Sequence, residues 1–111
     1  YGKWFIHSRE YVADSPVYNE QFIREVREWA ERVIMSKGVI MYNELMEKLG
    51  FDSKSKSLPF GWTDADGFFL EYDENEVWNE DKQELDYQFY IRWKTPRNLY
   101  ATTTFSDLIK R

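Results

Sequence analysis

At 111 residues the chain is long enough for one domain with one modest core, in which roughly two-thirds of the unfolded surface is buried. It has no Cys and one His, which excludes a disulfide framework, a thiolate nucleophile, a Cys-ligated zinc and multi-His metal sites. Aromatic residues make up 19%, charged residues 32%, and the net charge is −5, the composition of a folded, aromatic-rich domain and not of a disordered tail.

The first fourteen residues carry one apolar cluster, Trp4-Phe5-Ile6, expected as a short strand or a docked arm. Ser15-Pro16 is a helix start: Ser is a good N-cap, and Pro at the first helical position loses no needed N–H. From there to Lys37, Tyr18, Phe22, Val26, Trp29 or Ala30, and Val33 recur at helical spacing. Glu20 to Arg24 and Glu28 to Arg32 stand four apart in the favourable order, and Gly38 is a stop. After the short link Val39-Ile40-Met41-Tyr42, Asn43 reads as the cap of a second helix of about two turns, with Glu44 in its first turn and Gly50 at its end.

Residues 52–57 are a polar Ser/Lys surface loop. From Phe60 the period changes to two. Phe60-Gly61-Trp62-Thr63 leads into the turn Asp64-Ala65-Asp66-Gly67, and a strand follows with Phe68, Leu70 and Tyr72 on one face. Beyond a charged hairpin tip, Leu85, Tyr87, Phe89, Ile91 and Trp93 alternate with Asp86, Gln88, Tyr90, Arg92 and Lys94, the clearest strand in the chain. Thr95-Pro96 stops it, and residues 98–105 and 107–110 are read as an extended piece and a last turn. The fold class that follows is α+β, one long and one short helix packed on a small antiparallel sheet. The odd-numbered residues 85–93 are expected to point inward beneath the first helix, leaving no reactive pocket behind them.

Charge is unevenly placed. Asp64 to Asp86 holds ten acids and one base, a local −9, while the remaining residues sum to +4. Such a surface disfavours a phosphate backbone and suits a basic partner, the plainer reading being a solvated hairpin tip. The other motifs lead nowhere specific. Asp64-x-Asp66-Gly67 resembles part of a calcium loop, but Trp62 would fall at its first ligand position and Asp73 at its last. His7-Ser8 pairs a base and a nucleophile by residue type only, and the five glycines match no phosphate-binding loop. Glu71, Asp73, Glu84 and Asp86 with Trp62, Trp78 and Trp93 supply the residue types of a glycan-cleaving site without a spacing that selects a pair. Tyr90, Arg92, Lys94 and Arg97 form a small basic stripe, which beside an acidic tip favours a protein contact over nucleic acid.

Tyr18-Asn19-x-x-Phe22 opens the long helix. Ser36-x-Gly38 then runs through four residues to Asn43-Glu44-Leu45, Leu49-Gly50-Phe51 and, about ten residues on, Gly61-Trp62. This block, roughly residues 18–73, resembles an uncharacterised family of proteins encoded by tailed phages and prophages of Gram-positive bacteria. The chain departs from that pattern at the tip, where Asn79-Glu80-Asp81-Lys82 replaces an Asn-Gly turn, and at Tyr90-Ile91-Arg92-Trp93-Lys94, which replaces an Asp-rich last strand. The resemblance implies apolar anchoring segments upstream and supplies no activity or catalytic residue.

The sequence has no signal-peptide pattern and no run near the roughly 20 apolar residues of a spanning helix, and its start at Tyr1 in place of Met is that of a piece of a longer chain. Residues 1–111 are therefore read as a single domain of a longer protein. Its expected role is non-enzymatic: a phage or prophage domain that binds another protein of phage or host, virion-associated or membrane-tethered through an upstream segment. Contact residues are Trp78 at the acidic tip and Tyr90, Arg92 and Arg97 on the outer face of the sheet. No cofactor, metal, nucleic acid or direct membrane contact is expected, and host cytoplasm, membrane face and virion all suit the segment. The rival readings are a small enzyme acting on cell-wall glycan and an acidic inhibitor of a host nucleic-acid-binding protein.

Overall fold

The structure, a computed structural model, describes residues 1–52 and 59–99. Most of the polar loop at 52–57 and of the extended piece at 98–105, and all of the last turn at 107–110, therefore lie outside the described residues. The long helix α1 (Pro16–Lys37) starts at Pro16 and ends at Gly38, whose left-handed backbone lets its N–H reach the Ile34 carbonyl at 2.8 Å. Its inward face is Asn19, Ile23, Val26, Ala30 and Ile34. That corrects the stripe the spacing predicts: Val26 and Ala30 belong to both, but Phe22, Trp29 and Val33 are only flanking and Tyr18 is exposed. The deciding residue is Asn19. Its amide closes two bonds on the backbone of Val12, accepting the N–H and donating to the carbonyl at 2.9 Å each, and so turns inward. Ser15 occupies the N-cap position without a side-chain bond.

Strand β2 (Val39–Met41) follows directly and leads into α2 (Tyr42–Leu49). The helix begins one residue before Asn43, and its first turn is closed by Glu44, which accepts the Met41 N–H at 3.1 Å. At the other end Gly50 adopts φ 87°. The buried Ser8 hydroxyl donates to the Leu49 carbonyl at 2.6 Å and accepts the Glu10 N–H, so Ser8 is a structural bridge and not a nucleophile poised beside His7.

In place of one sheet there are two, each of three antiparallel strands. The first has the order β1 (Gly2–Trp4), β5 (Glu84–Trp93), β4 (Leu70–Asn79), with β5 central as the pattern predicts. The second is β2, β3 (Phe60–Thr63), β6 (Arg97–Asn98). The break falls at the one-turn helix Asp64–Asp66, after which Gly67, at φ 68°, redirects the chain so that β3 and β4 do not pair. Gly61 is required where β3 meets β2, because a side chain there would run into the Ile40 carbonyl and Met41 Cα. Next to it, the fully buried Trp62 donates its indole N–H to the Lys94 carbonyl at 2.8 Å and ties the two sheets together.

Along β5, Phe89, Ile91 and Trp93 are buried, each stabilising the fold by about 1.5–3 kcal/mol relative to exposure. Leu85 and Tyr87 stand on the same face but are 48% and 38% exposed. The expectation of five inward residues thus holds for three, since the distal hairpin runs past the core.

Candidate functional site

The register of the hairpin shows why it outruns the core. Leu70 pairs with Trp93 and Tyr72 with Ile91, but the next partners on that face are Glu74 opposite Phe89 and Glu76 opposite Tyr87. Two glutamates keep the continuing face wet. Farther out, Trp78 stands opposite Leu85 and is 53% exposed. Trp78, Leu85 and Tyr87 therefore form an exposed apolar patch near the tip. The tip itself is held by Asn79, which accepts the Lys82 N–H at 3.1 Å and donates to the Asp86 carboxylate at 2.7 Å.

Beside the patch lies a groove of about 420 Å³. Tyr11, Asp14, Pro16 and Asn19 make one wall, and Glu84, Leu85, Asp86 and Tyr87 the other. The Asn19 bonds to Val12 hold the first wall in place. Carboxylate oxygens of Asp14, Glu84 and Asp86 lie within 4.8 Å of one another, and Lys82 closes the end of the groove on Asp14. Burial raises the Tyr11 hydroxyl pKa, and the charges of Asp86 and Asp14 raise it further against the opposing effect of Lys82. The three carboxylates are the described residues best placed to hold a cation. Leu85 and Tyr87, expected in the core, line this groove.

The four contact residues named from sequence do not meet on one surface. Trp78 is on the core-side face of the hairpin, whereas Tyr90 and Arg92 are on the opposite face of β5. Tyr90 packs edge-on against Trp4 at 5.1 Å and lines a second groove with His7 and Phe51. Arg92 is taken up by Asp73 at 2.8 Å and Glu71 at 3.2 Å. Arg97 lies in the other sheet, where its guanidinium binds the Asp66 carboxylate at 2.8 Å. Asp66 in turn accepts the N–H and hydroxyl of Thr63 at 2.7 and 3.1 Å. It is thereby committed to capping its own turn, in agreement with the turn reading of Asp64-x-Asp66-Gly67.

Residues 3–102 match the model of a family of unknown function, DUF6353. The chain belongs to that family. No curated protein and no solved structure matches this DUF6353 chain. The match takes in both sheets, both helices and the whole acidic hairpin, and so extends beyond the block at residues 18–73. Within that block the DUF6353 fold gives several of the quoted residues a local task. Gly38 and Gly50 end helices in the left-handed conformation, Glu44 closes the start of α2, and Gly61-Trp62 allows the close approach of β2 and joins the sheets.

Leu85, Tyr87, Tyr11 and Asp14 were missed as site residues. For the first two a signal was present: on β4 the apolar parity of Leu70 and Tyr72 gives way to Glu74 and Glu76. Tyr11 and Asp14 reach the groove through a tertiary clamp that no local pattern encodes.

Proposed function

We propose that this DUF6353 domain is a non-enzymatic, protein-binding module, carried by a phage- or prophage-encoded chain and displayed from a membrane or virion through an upstream segment. The observation that carries protein binding is the exposed apolar patch of Trp78, Leu85 and Tyr87 on a hairpin with strongly acidic flanks. Aromatic side chains exposed together and rimmed by charge are the anatomy of protein interfaces. The phage or prophage setting rests on the sequence block at residues 18–73 alone. No helix among the described residues is long and apolar enough to cross a membrane.

The glycan-cleaving alternative draws less support. Glycoside hydrolases need one carboxyl group free to give a proton and a second free to attack or to activate water, whereas in the groove Asp14 is engaged by Lys82 and Asp86 by Asn79. The acidic-inhibitor alternative shares the hairpin and differs in being purely electrostatic. It predicts binding lost at high salt, because exposed charges are screened beyond about 8–10 Å.

The test is affinity capture from cells that express the protein, comparing the native chain with the double variant Trp78→Ser, Leu85→Ser. Both side chains are about half exposed, so thermal stability is expected to hold. The expected result is loss of one or more captured proteins by about tenfold, which corresponds to about 1.4 kcal/mol. An identical set of captured proteins from both chains overturns the reading.

A further inference from the structure

Strand β5 is flanked on both sides over only part of its length. β4 runs beside all of it, whereas β1 covers only Tyr90, Ile91 and Arg92. Past Trp4 the chain turns into the short helix Phe5–His7, which packs beside β5 without pairing with it. In an antiparallel ladder, alternate residues aim both main-chain groups to the same side. The Trp93 N–H bonds the Tyr1 carbonyl at 3.1 Å, which fixes the parity. Tyr87 and Leu85, in step with Trp93, therefore aim their N–H and C=O groups at the open side. Among the described residues no group bonds them there.

Side chains on the two faces of this edge differ in kind. Leu85 and Tyr87 are on one, and Glu84 and Asp86 on the other. A strand laid against the edge would meet them alternately, so apolar side chains would fall on the first face and cationic ones on the second. The groove supplies a second wall, Tyr11, Asp14 and Pro16, which sets this edge apart from the outer edge of β4. Its acids outnumber its bases, with Asp14, Glu84 and Asp86 sharing the one ammonium of Lys82. A second copy is a poor occupant, because it would bring another acidic segment, residues 64–86, of charge −9.

We infer that the open edge of β5 between Glu84 and Tyr87 takes up an extended segment of a partner protein, one that alternates basic and apolar residues and pairs with the main chain of Leu85 and Tyr87. This rests on the protein-binding reading above and gives that partner a chemistry. A basic side chain of the segment replaces Lys82 over the three carboxylates, and its apolar side chains extend the patch of Leu85, Tyr87 and Trp78.

The probe is a short blocked peptide of alternating Lys and Val, added to the ¹⁵N-labelled chain. Hydrogen exchange at the Leu85 and Tyr87 amides is expected to slow by about tenfold or more. The same peptide with its edge-facing amides N-methylated is expected to bind about tenfold more weakly, as is a Glu–Val counterpart. Tyr87→Pro removes one edge-facing N–H while leaving the β4 ladder intact, and is expected to abolish pairing where Tyr87→Ser retains it. Failure of the Lys–Val peptide to bind overturns the inference. So does equal binding of the N-methylated peptide, or unchanged exchange at both amides in the bound state. If Tyr87→Pro keeps every protein that the Trp78, Leu85 double variant loses, protein binding stands and edge pairing falls.

Discussion

Asp66 joins the turn after β3 to β6, and two neighbours, Thr63 and Arg97, act on its carboxyl group. Partial burial pushes its pKa up, but the Thr63 N–H, the Arg97 guanidinium and the Thr63 hydroxyl outweigh that and hold it below the usual carboxylate range. A lowered folded-state pKa stabilises the fold above the unfolded value of about 3.9, and the contribution fades as pH falls through the folded value. The stability difference between the native chain and Asp66→Asn is therefore expected to be constant near neutrality and to shrink below about pH 4, as read by denaturant melts across pH. Asp66→Ala is expected to cost about 1–2 kcal/mol at neutral pH, through the lost cap. Asn19 is the other residue of this kind. Asn19→Leu keeps the volume but strands the Val12 N–H and C=O, at an expected cost of about 1–3 kcal/mol. Its distinguishing mark is faster proteolysis of residues 11–15, since the wall of the groove is released. At Gly61 the backbone of β2 is the obstacle, so Gly61→Ala is expected to lower the melting temperature by several degrees and to shift the amide resonances of Ile40 and Met41.

The hairpin β4–β5 divides into an inner half built on the core and an outer half built for solvent. Phe89→Ala is expected to destabilise by about 3–5 kcal/mol, because it empties a fully enclosed site. Leu85→Ala, four residues along the same face, is expected to stay within about 0.5 kcal/mol. Equal costs at the two positions, measured by denaturant melts, would mean that the distal face is covered. The alternation over residues 85–93 gave the strand and its faces correctly, but alternation reports which side a residue takes and not how far the covering helix extends. α1 shows the same limit. The spacing predicts one apolar stripe on it, whereas the face turned inward, held by the clamp of Asn19 on Val12, is the one containing Ile23 and Ile34. The anticipated pairs Glu20–Arg24 and Glu28–Arg32 do not close among the described residues, and Glu20 instead accepts the Tyr72 hydroxyl at 2.9 Å.

For the whole molecule, the acidic segment and the apolar core occupy different ends of one hairpin. Amides of the ladder between Leu70–Asp73 and Tyr90–Trp93 are expected to exchange most slowly, and those of residues 76–86 by local opening, because few buried contacts hold the outer half. The amino-acid sequence alone determined the α+β class, both helices with their glycine stops, the central place of β5 and the acidity of the hairpin, since each follows from local periodicity, capping or charge. Tertiary structure decided that β3 and β4 part into separate sheets, that Arg97 and Arg92 are spent on ion pairs, and that Leu85 and Tyr87 border a groove. These outcomes depend on which distant segments meet: Ser8 on Leu49, Asn19 on Val12, Arg97 on Asp66. Each meeting is settled by the packing of the whole chain, because a polar side chain has many local partners and only the assembled fold brings the distant one within reach.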